Sequence, residues 1–278
     1  MEQAEQNFLS YGGKRWLWFG LISSLLLCTS YLMYRRQMLP HGGTPMGLAY
    51  GVAGTIVIFI LMALGVRKRW YSSGLGTLQG WTSAHVYLGL LTLLLIPMHA
   101  GFKFRFDVHT LAFALLFLVV ISGIVGIVLY RTVPPRLTKF EQTIQADKVD
   151  AELNRLLAEM RMLSRDKSDS FVRVYQEEAS RLMKHTHRGW RVLWSPRADP
   201  LAARGQELSR TVKQIPAPEH EDFQKLSRLI MQSVQLEGTL TEQMRLRNAM
   251  QAWLYLHVPL SLAMMIAIVI HLVAVFYY

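Results

Sequence analysis

Five stretches of this chain run for about twenty residues each with almost no charge, close to the length an α-helix needs to cross the roughly 30 Å hydrocarbon core of a bilayer. They are residues 16–34, 47–66, 81–102, 111–130 and 250–277. A segment surrounded by lipid must satisfy its backbone internally, so the expected fold class is all-α, an integral membrane helical bundle of five transmembrane helices. Charge is segregated to match. Residues 131–250 hold 21 of the 30 Lys and Arg and 16 of the 19 Asp and Glu, although the whole chain is only 18% charged. The expected organisation is a membrane part over 1–130 with four spans, a polar helical insert over 131–249, and a fifth span over 250–278 that completes the bundle.

Lys14 and Arg15 precede the first apolar stretch as they would in a secretory signal, but the stretch is too long and no convincing cleavage site follows, so it reads as a retained helix. Positive residues favour the cytoplasmic side. Lys14, Arg15, Arg67, Lys68, Arg69 and the basic insert fall on one side, and Arg35, Arg36, Lys103 and Arg105 on the other. The expected orientation has the amino terminus and the insert in the cytoplasm and the carboxyl terminus outside, in a bacterial inner membrane.

The insert reads as helical and solvated. Pro134-Pro135 is expected to break it from the fourth span, 139–163 has apolar residues at helical spacing, and 195–200 and 215–218 read as loops. A last helical stretch from Glu219 runs toward the fifth span with Gly238 as its one interruption. Residues 184–191, with His185, His187 and Trp190 among basic side chains, form the best candidate for docking a redox partner or anionic headgroups. No nucleotide-binding glycine loop is present, and no nucleic-acid partner is expected.

Of nine histidines, four lie inside spans: His85 and His99 in the third, His257 and His271 in the fifth. Each pair is 14 residues apart, which falls about 40° short of four turns and separates the rings by about 21 Å along the axis. The third and fifth spans are two crossings apart and run in the same direction, so His85 matches His257 in depth and His99 matches His271. Two imidazoles at each of two depths suit two six-coordinate haems, one ligand on each side of each iron. The single cysteine, Cys28, excludes a disulfide framework, a four-cysteine iron–sulfur cluster and thioether attachment of haem. A histidine-bearing metal transporter or a plain membrane anchor is the competing class. Ion paths through membranes usually also use carboxylates, and no Asp or Glu lies in any of the five stretches.

Small residues repeat the interval. Gly51 and Gly65 in the second span, and Ala112 and Gly126 in the fourth, are again 14 apart and would let a flat macrocycle approach the backbone; glycine also promotes ordinary helix packing in membranes. Pro97 and Pro259 sit two residues from His99 and His257 and are expected to kink their helices. Ser83, Thr92, Tyr255 and Ser261 are nearby candidates to accept the second ring N–H of a ligating histidine. His109 opens the fourth span on the outer side, and His41 lies between Pro40 and Gly42 in a loop.

This constellation resembles the di-haem b-type membrane cytochromes, in which two helices each carry a His, thirteen residues, His motif. Gly51/Gly65 and Ala112/Gly126 look like the glycine pairs of the cytochrome b of quinol-oxidising complexes, whose quinol-site loop motif Pro-Glu-Trp-Tyr this sequence lacks and whose orientation is the reverse. Motifs on the third and fifth helices look like the transmembrane core of ferric reductases and NADPH oxidases, although these residues contain neither a sixth span nor a flavin domain. The resemblance implies two haem b cofactors, with His85, His257, His99 and His271 as iron ligands and Gly51, Gly65 and Gly126 lining the macrocycles. It implies a low-spin electron carrier with no catalytic residue of its own. Arg67, Lys68, Arg69, Trp81, Lys103 and Arg105 become candidates to meet haem propionates. The expected role is the electron-transfer subunit of a membrane oxidoreductase complex, in contact with the lipid bilayer, the quinone pool and a redox partner subunit; the alternative is a reductase core fed by a separate flavoprotein.

Overall fold

A computed structural model describes residues 8–70, 74–103, 108–143, 146–185, 193–194 and 200–277. The elements are helices α1 (Tyr11–Arg35), α2 (Pro45–Arg69), α3 (Leu78–Ala100), α4 (Val108–Thr143), α5 (Ala146–Leu163), α6 (Asp169–His185), α7 (Pro200–Thr211) and α8 (His220–Tyr277). No strand occurs among the described residues, so the protein is all-α. Five of its helices are long and apolar enough to cross a membrane, which makes it a multi-pass membrane protein by length and composition. The chain divides into two compact units, Met1–Ile127 with Trp253–Tyr278, and Val128–Ala252.

The first unit is organised around α3. Its most apolar window is 44% buried against 6% for that of α1, so α3 is the interior helix and α1 faces its surroundings along most of its length. On one side Tyr31, Tyr50, Leu88, Leu91 and Leu95 join α1, α2 and α3. On the other, Ile58, Leu116, Val120, Met264 and Ile268 bring together α2, α4 and α8, with Leu93 and Ile96 of α3 packed against them. Local chemistry sets the helix ends. Thr44 and Thr77 accept hydrogen bonds from the backbone N–H of Gly47 and Gly80 (3.2 and 3.1 Å), and Pro45 takes the first helical position of α2. Gly101 closes α3 in the left-handed region (φ 62°), where a β-carbon would also collide with the Pro40 carbonyl oxygen.

The second unit has its own core. Leu156, Met160, Phe171, Phe223, Leu226 and Ile230 are almost fully buried, and the Phe171 and Phe223 rings meet edge to face at 5.8 Å. Inside it lies the Glu178 carboxylate, 0% exposed, which accepts from Arg181 at 2.8 Å, Arg204 at 2.9 Å and Ser233 at 3.3 Å. A charge buried that deeply is tolerable because its lone pairs are occupied by charged and neutral donors. Glu219 closes the start of α6, accepting from the N–H and the hydroxyl of Ser168.

Pro134 and Pro135 do not end the fourth helix, contrary to expectation. α4 runs through both to Thr143. Proline's fixed φ is a helical value, so what a proline pair costs is two N–H donors and steric crowding. Burial of Val133 (1% exposed) offsets part of that loss. Gly238 likewise leaves α8 continuous from His220 to Tyr277. Of the proposed docking patch, 186–191 lies outside the described residues, as does 195–199 of the expected loop.

Candidate functional site: two levels of paired histidine

All four span histidines belong to the first unit. His85 of α3 and His257 of α8 line one largely apolar cleft that is partly open to its surroundings. Further along the same two helices, the rings of His99 and His271 have their centres 6.1 Å apart. The pairing 85 with 257 and 99 with 271 means that α3 and α8 run parallel here.

The second ring nitrogens are held from neighbouring helices. His85 Nδ1 lies 3.1 Å from the Leu61 carbonyl oxygen, and His99 Nδ1 lies 2.8 Å from that of Gly47. A carbonyl only accepts, so in both rings Nδ1 carries the proton and donates it. His257 Nδ1 meets the Ser122 hydroxyl of α4 at 2.7 Å. That hydroxyl has one proton, which it donates to the Val119 carbonyl at 2.8 Å, so it accepts from His257 Nδ1–H. In its neutral form each of these three rings would carry its lone pair on Nε2, the form in which imidazole binds a metal. None of Ser83, Thr92, Tyr255 or Ser261 holds a ring nitrogen at these three positions. Thr92 and Ser261 spend their protons on the backbone carbonyls of Gly89 and His257 (2.6 and 2.8 Å), and the acceptors are two α2 carbonyls and a serine 135 positions away in the chain.

The glycines bear on the same hydrogen bonds. Gly51, Gly65 and Gly126 each lie four residues after a carbonyl that accepts from a ring N–H of another helix: Gly47 and Leu61 from His99 and His85, and Ser122 from Trp253 Nε1 at 2.7 Å. A side chain at i+4 overhangs the carbonyl of residue i, as the hydroxyls of Thr29 over Leu25 and Thr132 over Val128 illustrate. At Gly51 and Gly126 the missing side chain leaves room for the partner ring that makes the bond. A β-carbon on Gly51 would stand 2.5 Å from His99 Nδ1, and one on Gly126 would run into the Trp253 indole; one on Gly65 would meet nothing within 4 Å. Gly89 of α3 and Gly123 of α4 both line the cleft around His85 and His257.

At the other level His109 of α4 contacts His271, ring centres 4.5 Å apart and nearly perpendicular. A β-carbon on Gly42 would stand 3.5 Å from His99 Cε1, so the loop between α1 and α2 passes close to that ring. Among the candidate propionate partners, Arg67 donates to the carbonyls of Trp70 and Gly76 (2.9 and 2.8 Å) and Trp81 to that of Leu75 (2.6 Å), which closes the turn between α2 and α3. Arg105 lies outside the described residues.

Among the described residues no group of three or more His, Cys, Asp or Glu is placed to hold a metal ion. A pair fits a metal whose equatorial positions are filled by something else. No family model matches this chain, nor does any curated protein or solved structure.

Proposed function

We propose that the protein is a di-haem b-type cytochrome, the membrane subunit of a bacterial redox complex that passes electrons across the bilayer between a quinone and a partner subunit. The observation that carries this reading is the anchoring of three span histidines: Nδ1 of His85, His257 and His99 each meets an oxygen of a neighbouring helix, which leaves Nε2 as the atom available to a metal. Haem, when bound, supplies a one-electron couple at each level, tuned by its axial ligands and by burial. The chain supplies the rest. His85 with His257, and His99 with His271, would each hold one haem. The levels are about 21 Å apart along the helices, so together they bridge most of the hydrocarbon. Apolar side chains of α2, α3 and α4 line the cleft at His85 and His257. In the proposed topology the amino terminus and the second unit are cytoplasmic, which puts His85 and His257 in the inner half.

A dithionite-reduced minus oxidised spectrum of the purified full chain tests this directly. Two protohaems per polypeptide with a b-type α band are expected, and a protein purified without protohaem overturns the reading. Reduction by a quinol analogue, blocked by quinone-site inhibitors, is the expected donor reaction. Reduction solely by NAD(P)H with an added flavoprotein would instead assign the chain to the reductase-core class.

A further inference from the structure

We infer that Ser122 and Trp253 form a clamp on His257 that sets the orientation and the electron-donating strength of this one ligand. The inference rests on the haem reading above and concerns how its two levels are made unequal. Trp253 precedes His257 by four residues and so shares its face of α8, where the indole and imidazole stack with centres 5.3 Å apart and planes 24° apart. On α4, Ser122 and Gly126 are again four apart, and the two pairs interlock. The Ser122 hydroxyl takes His257 Nδ1–H, and its carbonyl takes Trp253 Nε1–H. The space left by Gly126 admits the indole.

One serine therefore holds both rings, through its side chain and through its backbone. The imidazole cannot turn about its Cβ–Cγ bond without losing the hydrogen bond and breaking the stack. No such arrangement holds His85 or His99, whose Nδ1–H groups go to main-chain carbonyls that no side-chain substitution removes. Donation from Nδ1–H to an acceptor increases the basicity of Nε2. A more basic ligand favours the oxidised iron, so loss of the acceptor at Ser122 raises the potential at this level alone. Ser122 and Trp253 act through His257 and are positioning residues.

The experiment is a potentiometric titration, with low-spin electron paramagnetic resonance spectra, of the haem-loaded full chain carrying Ser122→Ala, Ser122→Thr or Trp253→Phe. In Ser122→Ala one potential rises by a factor of at least about three in the one-electron equilibrium constant, about 28 mV at about 59 mV per tenfold, with a shifted g-value for the same haem. The other haem stays unchanged. Ser122→Thr, which retains the hydroxyl, restores the native value, and Trp253→Phe, which keeps the stacked ring and removes the N–H, alters the same haem's spectrum. Two haems with unaltered potentials and spectra in Ser122→Ala overturn the clamp while leaving the haem reading intact, as does an equal shift of both. Absence of haem from the unsubstituted protein refutes the underlying reading itself, so the two failures are distinguishable. Should Ser122→Ala not accumulate, Trp253→Phe carries the test, and an unchanged spectrum there is decisive against the clamp.

Discussion

The Gly47 carbonyl oxygen accepts from His99 Nδ1 at 2.8 Å, and Gly51, one turn on, leaves room for the ring that makes this contact. Gly51→Ala adds a β-carbon 2.5 Å from that nitrogen, and neither the helix backbone nor the bonded ring can yield without loss. Overpacking of this kind costs about 1–3 kcal/mol. The expected outcome is loss or weakening of one haem with the other retained, read as protohaem per polypeptide. Gly65→Ala, whose β-carbon meets nothing within 4 Å, is expected to keep both. Equal behaviour of the two variants would contradict the packing described for α2.

His85→Ala and His257→Ala are expected to deplete one and the same haem, and His99→Ala and His271→Ala the other, since each pair shares a level. Stoichiometry in each single variant falls from two to one. Spectra of the double variants check the pairing: His85→Ala with His257→Ala should retain one haem, whereas His85→Ala with His99→Ala should retain none.

In the second unit, Phe171→Ala removes a ring buried against Phe223 and is expected to destabilise that unit by about 3–5 kcal/mol. A fall in the thermal midpoint of its helical signal in the detergent-solubilised full chain is the measurement. A neutral result would mean that this core is not what holds the unit.

Arg204→Ala leaves the buried Glu178 carboxylate with Arg181 and Ser233 as its remaining donors. Breaking one partner of a buried pair typically costs about 3–5 kcal/mol, and Arg181 lowers that figure by remaining in place. Arg155→Ala removes a partner of Glu152 and Glu159 at a side chain 61% exposed, where solvent screens the pair, and is expected to leave stability nearly unchanged. Guanidinium or urea unfolding of the two variants side by side ranks them, and an equal effect would deny Glu178 its structural weight.

Helix type and span positions were legible because lipid makes the pattern coarse: long apolar runs have one structural solution. The depth matching of His85 with His257 and His99 with His271 was legible because 14 residues return to almost the same face of a helix. What the rings bond to was not. Two acceptors are backbone carbonyls, which carry no residue identity, and Ser122 looks like any other serine in a membrane helix until α8 is placed beside it. The glycines showed their spacing but not their relation to a carbonyl four residues earlier, which depends on knowing which oxygen is engaged. Pro134-Pro135 misled for a related reason: proline's local preference is visible in sequence, whereas the burial of Val133 that opposes it is tertiary.

The acceptors Gly47 and Leu61 are themselves 14 residues apart on α2, antiparallel to the 14-residue interval between His85 and His99. α2 is therefore a gauge. Deleting a single residue between positions 47 and 61 would rotate one oxygen by about 100° and shift it by about 1.5 Å relative to the other, so that only one imidazole at a time keeps its anchor. Evolution can repaint the lipid-facing side of α2 freely, but it cannot change the number of residues in that interval without giving up one of the two levels.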